Sequence, residues 1–170
     1  MSTDMNRAAV IEALQRLGLR LQDAAAVHPD ESDPYYILTA QGERDMAFAH
    51  VLDYDAEMVE EDDAYAGWVR LWARVTGREH GLADVASHVD FDGGTSWLAY
   101  RLDGAAVRME FVQDGDWLDP DVAERIIEDF GDVPGRVRLY VDNGQGGTYA
   151  WLPEESIAGF RALFPEAERA

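Results

Sequence analysis

From Trp97 to Phe111 the chain reads WLAYRLDGAAVRMEF, and apolar and polar positions alternate on either side of Asp103-Gly104. A two-residue Asp-Gly loop needs positive φ at both positions and closes a tight hairpin. That turn predicts Leu102 opposite Ala105, Tyr100 opposite Val107 and Leu98 opposite Met109. In this register Leu98, Tyr100, Leu102, Ala105, Val107, Met109 and Phe111 share one face, and Trp97, Arg101, Arg108 and Glu110 share the other. A slip of one residue would destroy the separation, so turn chemistry and pattern agree.

A second hairpin follows the same logic. Val137, Leu139 and Val141 alternate with Arg136, Arg138 and Tyr140, and Tyr149 and Trp151 share a face beyond the loop Asn143–Gly147. The glycines of that loop do not make a phosphate cradle. No Lys-Ser/Thr pair follows, and the loop leads into a strand, not a helix N-terminus. Further strands are expected at Val85–Phe91, ended by Asp92-Gly93-Gly94, and at Tyr35–Ala40 and Met46–Leu52 around Gln41-Gly42, with a helix as the alternative for Met46–Leu52.

Helical spacing marks four segments. Residues 4 to 17 align Val10, Leu14 and Leu17 and stop at Gly18. Tyr65, Trp68, Val69, Trp72 and Val75 form a second stripe, with Glu60 to Asp63 expected in its first turn and Arg70, Arg74 and Arg78 toward its end, the arrangement a helix dipole favours. Asp119-Pro120 opens a third, with Val122, Ile126 and Phe130 inward and Gly131 at its end. Pro153-Glu154-Glu155 opens the last, which carries Ile157, Phe160 and Phe164 and stops before Pro165. The expected fold class is α+β: a mainly antiparallel sheet of five to seven strands with about four helices packed against it. At 170 residues a single domain, 1–170, is the expectation, with HPDESDP at residues 28 to 34 as a connecting loop.

Composition narrows the chemistry. There is no cysteine, which removes disulfides, thiolate metal sites and a cysteine nucleophile. All fourteen basic residues are arginine, as a GC-rich genome would produce. No apolar run resembles a signal peptide or a membrane span, so a cytoplasmic, bacterial-type protein is expected. The four histidines show no metal-binding spacing, and no G-x-S-x-G turn presents a serine nucleophile. No cofactor is implied. With thirty-four acidic residues, a pair of carboxylates at hydrolase spacing carries no specificity.

Charge is the stronger signal. The net charge is −20, and residues 1–85 and 86–170 each contain seventeen acids and seven arginines. Solubility or a salt-adapted host would account for such a surplus. A field of this sign also repels nucleic acid and anionic lipid and attracts cationic protein surfaces. The surplus peaks in VLDYDAEMVEEDDAY, where Asp53, Asp55, Glu57, Glu60, Glu61, Asp62 and Asp63 fall within eleven positions. It is not an EF-hand, because Met58 and Ala64 stand where glycine and glutamate are required; a looser cation site at Asp53, Asp55 and Glu57 is an alternative use of these acids. A second acidic loop, QDGDWLDPD, contributes Asp114 and Asp116 before Trp117. Trp68, Trp72 and Trp151 fit core stripes, whereas Trp97 and Trp117 stand beside polar groups, where an indole can anchor an arginine-bearing partner.

The functional expectation is therefore an acidic protein-binding module of inhibitor type. Its partner would be a basic protein, such as a toxin or a nucleic-acid-binding protein, with no direct nucleic-acid or membrane binding. In size and charge, though in no motif, the chain is similar to the small immunity proteins that neutralise bacterial nuclease toxins. The expected contact residues are Asp53, Asp55, Glu57, Glu60, Glu61, Asp62, Asp63, Trp97, Asp114, Asp116 and Trp117. The alternatives are a small-ligand or self-associating domain, with the Trp97 face in a homodimer, and a small carboxylate- or metal-dependent hydrolase.

Overall fold

The computed structural model describes residues 5–170, and the chain divides into two compact units. The first takes residues up to Asp53 together with Val133–Ala170, and the second is the continuous segment Tyr54–Asp132. The class is α+β. Among the described residues seven strands are divided between a four-stranded and a three-stranded sheet.

In the first unit, α1 (Arg7–Arg16) begins when Asn6 accepts the Ala9 N–H at 3.0 Å, and it buries Val10, Ile11 and Leu14. Residue 4, where the pattern started this helix, lies outside the described residues. A short helix α2 (Pro34–Leu38) occupies the segment expected to be a strand. Asp33 accepts the Tyr35 N–H at 2.8 Å and Pro34 supplies the first helical residue, so a local cap outweighs the strand propensity of Tyr-Tyr-Ile. The strand expected at Met46–Leu52 is corrected too: β1 covers Val51–Asp55. His50 has a φ of 61°, which interrupts extended backbone, and Met46 and Phe48 make only isolated bridges.

The four-stranded sheet runs β1, then β6 (Gly146–Leu152), β5 (Val137–Asp142) and β7 (Glu168–Arg169). The β5–β6 hairpin pairs Leu139 with Ala150 and Asp142 with Gly147. Gly147 is required there, because a Cβ would run into the Tyr140 ring, whose hydroxyl donates to the Gly146 carbonyl at 2.7 Å. A 3-10 turn at Glu154–Ser156 leads into α5 (Ile157–Leu163). The core of this unit joins Val10 and Leu14 to Ile37, Phe48, Leu139, Phe160 and Phe164.

In the second unit, α3 (Ala64–Thr76) and α4 (Pro120–Phe130) pack together, and α3 also packs on the sheet of β2 (Leu82–His88), β3 (Thr95–Leu102) and β4 (Ala105–Val112). The β3–β4 register pairs Leu102 with Ala105, Tyr100 with Val107 and Leu98 with Met109, as the Asp103-Gly104 turn requires. Both turn residues have positive φ, 50° and 85°. Trp68, Val69, Trp72, Leu98, Val122, Ile126 and Phe130 are buried here. Strand β2 lies three residues earlier than its pattern suggested. The Asp62 carboxylate takes the Val89 N–H at 3.1 Å, which ends the ladder at His88. Among the described residues no helix is long and apolar enough to cross a membrane.

Candidate functional site

The unit boundary redistributes the charge. Tyr54–Asp132 holds twenty acidic side chains against six arginines, a net −14, while the rest of the sequence holds fourteen against eight, a net −6. Cutting the sequence at its midpoint hides this asymmetry, because the cut passes through the second unit.

Within that unit the two acidic segments are neighbours. Val59 N–H donates to the Asp116 carbonyl at 2.9 Å, and Leu118 N–H donates to the Ala56 carbonyl at 2.7 Å. These bonds lay residues 56–59 against residues 116–118. Val59 is fully buried and fastens the first segment from below.

The second segment is held by a polar network that the sequence reading did not anticipate. Tyr65, wholly buried on α3, donates its hydroxyl proton to Gln113 Oε1 at 2.7 Å and accepts the Asp119 N–H at 2.9 Å. Gln113 Nε2 in turn donates to the carbonyls of Gly115 at 3.1 Å and Trp117 at 2.7 Å. Burial, opposed by the Asp119 N–H, pushes the Tyr65 hydroxyl up to about 12. It therefore stays a neutral donor across the physiological range. One amide and one phenol thus bind the main chain of the turn without engaging its carboxylates. The signal in the sequence was Gln113, a neutral amide at the start of an acidic loop.

The acidic side chains differ in how far they are engaged. Asp63 contacts Arg70 at 3.1 Å, and Asp62 lies 3.3 Å from His88 Nδ1 and binds Val89 N–H. Asp55 accepts the Glu57 N–H at 2.9 Å in a local turn. The side chains of Glu57, Glu60, Glu61, Asp114 and Asp116 have no hydrogen-bond or ion-pair partner among the described residues, and all but Glu57 are exposed. Trp117, beside Asp116, is 47% exposed. Asp53 belongs to the first unit, where it accepts the Thr148 hydroxyl at 2.6 Å, and that hydroxyl is 3.0 Å from the Tyr35 hydroxyl.

The expected first-turn acids of α3 are corrected by one residue or more. The helix starts at Ala64, and Asp63 occupies the cap position without a side-chain cap bond. The capping acceptor comes instead from β2: Ser87 Oγ accepts the Ala66 N–H at 3.2 Å and donates to the Asp62 carbonyl at 2.6 Å. Glu60–Asp62 are thereby left outside the helix.

Trp97 is half-buried on the sheet face opposite the core, paired across the strands with His88 and Glu110. The Arg108 guanidinium lies 4.7 Å from its ring centroid, and the His88 ring is 6.5 Å away. One indole face is therefore engaged by the protein's own cation. Through His88, Trp97 adjoins Asp62.

No family model, no curated protein and no solved structure matches this chain. The site is consequently read from its own chemistry. Among the described residues no group of three or more histidine or acidic side chains is placed to hold a metal ion. Ser87 and Ser96 are both engaged by main-chain groups, Ser96 Oγ accepting the Asp90 N–H at 2.9 Å.

Proposed function

We propose that this protein is a binding module that occupies a positively charged surface of another protein, in the manner of an inhibitor, and that residues 55–63 and 114–117 of its second unit make the contact. The observation that carries the reading is the pair of backbone hydrogen bonds joining two acidic segments that lie about three quarters of the unit's length apart in sequence. Like charges brought together repel, so the fold holds them against their own electrostatics, and a cationic partner relieves that repulsion. Complementary fields raise association rates and fix register, and a half-exposed indole at the edge supplies the apolar contact that charge alone lacks. The five unpartnered carboxylates need no internal ion pair broken before they can bind.

The test is affinity capture from the host lysate at low salt, comparing the wild type with a variant in which Glu57, Glu60, Glu61, Asp114 and Asp116 are all changed to their amides. A basic protein held by the wild type, released by added salt and not held by the variant supports the proposal. Equal retention by both, or retention of no basic protein, removes it.

A further inference from the structure

Beside the free carboxylates lies an open groove of about 540 Å³, formed by residues of the second unit alone. Its walls include Met58, Leu71 and Trp68, its rim carries Glu60, Glu61 and Asp63, and Gly67 of α3 lines it. We propose that this groove receives an arginine side chain of the partner. The inference rests on the reading above and names the group that the acidic surface recognises.

Two features point to that occupant, and a third reports on it. The first is the division between apolar wall and anionic rim. An aliphatic side chain would fill the groove but strip water from carboxylates without replacing it. A small hydrated cation would meet the rim and leave the walls wet. Arginine lays three methylenes along Met58 and Leu71 and presents a planar, weakly hydrated fork of donors to the rim. Asp63 already shares one oxygen with Arg70, so Glu60 and Glu61 are the acceptors available.

The second feature is Gly67. Glycine inside a helix costs about 1 kcal/mol relative to alanine. A Cβ added here meets no atom within 4 Å, so no neighbour in the fold demands glycine. What its absence of side chain preserves is the groove.

The third is Trp68. It is 3% exposed, it forms part of the groove wall, and its buried indole N–H has no acceptor among the described residues. An unsatisfied buried donor is costly. The N–H lies beneath the groove surface and is not open to it, so Trp68 acts as a reporter of what enters the groove and makes no polar contact with it.

The experiment uses hexa-arginine and hexa-lysine amides as probes, titrated into the full chain at low salt by calorimetry, with the indole N–H resonance of Trp68 followed by NMR. Trp68→Phe identifies that resonance. Gly67→Met fills the groove without altering charge, and Asp114→Asn/Asp116→Asn lowers the charge without touching the groove. The expected result is that Gly67→Met weakens hexa-arginine about tenfold, the double amide variant about threefold, and that hexa-lysine binds the wild type about fivefold more weakly, these being differences of roughly 1.4 kcal/mol or less. The Trp68 resonance should shift with hexa-arginine. Wild-type affinity in Gly67→Met, or equal affinity for both peptides, overturns the groove and leaves the acidic surface standing. Failure of the wild type to bind either peptide removes the acidic-surface reading itself. Gly67→Gln repeats the steric test should Gly67→Met fail to fold.

Discussion

Replacing Tyr65 by phenylalanine removes one oxygen from the centre of the second unit and nothing else. The ring keeps its edge contact with Phe111, 4.8 Å between centroids. Two hydrogen bonds disappear, to Gln113 Oε1 and from Asp119 N–H, and both partners lose their companion where Gln113 is only 7% exposed. At about 1–1.5 kcal/mol per bond, with part of the desolvation of the abandoned groups added, the loss is about 3 kcal/mol. Urea unfolding followed by fluorescence and circular dichroism should show the midpoint falling by roughly 1–2 M with an unchanged slope. The pH dependence sharpens the test. The folded-state hydroxyl titrates at about 12, against the ordinary tyrosine value of 10, because burial disfavours the phenolate. A group whose pKa rises on folding contributes stability that is complete below the unfolded value and is lost as pH climbs through the folded one. The advantage of wild type over Tyr65→Phe should therefore hold up to about pH 10 and shrink between pH 10 and 12, by roughly 1.4 kcal/mol for each unit of displacement. Tyr100 is raised in the same sense by burial and by its bond to Asp129, but it is present in both proteins and cancels in the difference. A gap below about 0.5 kcal/mol at pH 8, well under the net worth of one buried hydrogen bond, or a gap that ignores pH, would refute the account of the network.

Three further outcomes follow from particular contacts. Gly67→Ala should stabilise the protein by about 1 kcal/mol in thermal or urea unfolding, since the new methyl group meets open space and α3 gains helix propensity. Gly147→Ala should destabilise by about 2–3 kcal/mol, because the added carbon collides with a Tyr140 ring anchored by its hydroxyl to Gly146, and chemical denaturation will measure it. Ser87→Ala removes the acceptor for Ala66 N–H and should cost about 1–2 kcal/mol, with faster amide exchange at Ala66 locating the loss in the first turn of α3.

Much of this fold is legible because local signals and the buried pattern coincide. Asp103-Gly104 sets a register that the apolar face of Leu98, Tyr100 and Val107 then locks, and Asp119-Pro120 with Gly131 bounds α4 at both ends. The same acid-proline pair at Asp33-Pro34 opens α2, but Tyr35–Ala40 also reads as a strand, and a five-residue helix is too short to show its period. The start of α3 was obscured by a non-local cause, the cap from Ser87, twenty-one residues away in the chain from the amide it serves. The candidate site shows the same division. Its carboxylates and Trp117 are visible in composition, whereas the bonds that set residues 56–59 beside 116–118, and the Tyr65–Gln113 support beneath them, depend on chain crossings that no local pattern encodes.

The second unit is one uninterrupted stretch, whereas the first is assembled from both ends of the chain, with Val10 and Leu14 sharing a core with Phe160 and Phe164. On the ribosome this dictates an order of events. When residue 132 has left the exit tunnel, every partner within Tyr54–Asp132 is outside it, while α1 waits for a hairpin and a helix that are still inside the tunnel. Nascent chains arrested at that point should already display the acidic surface, so the proposed contact region folds before the remainder has closed its own core.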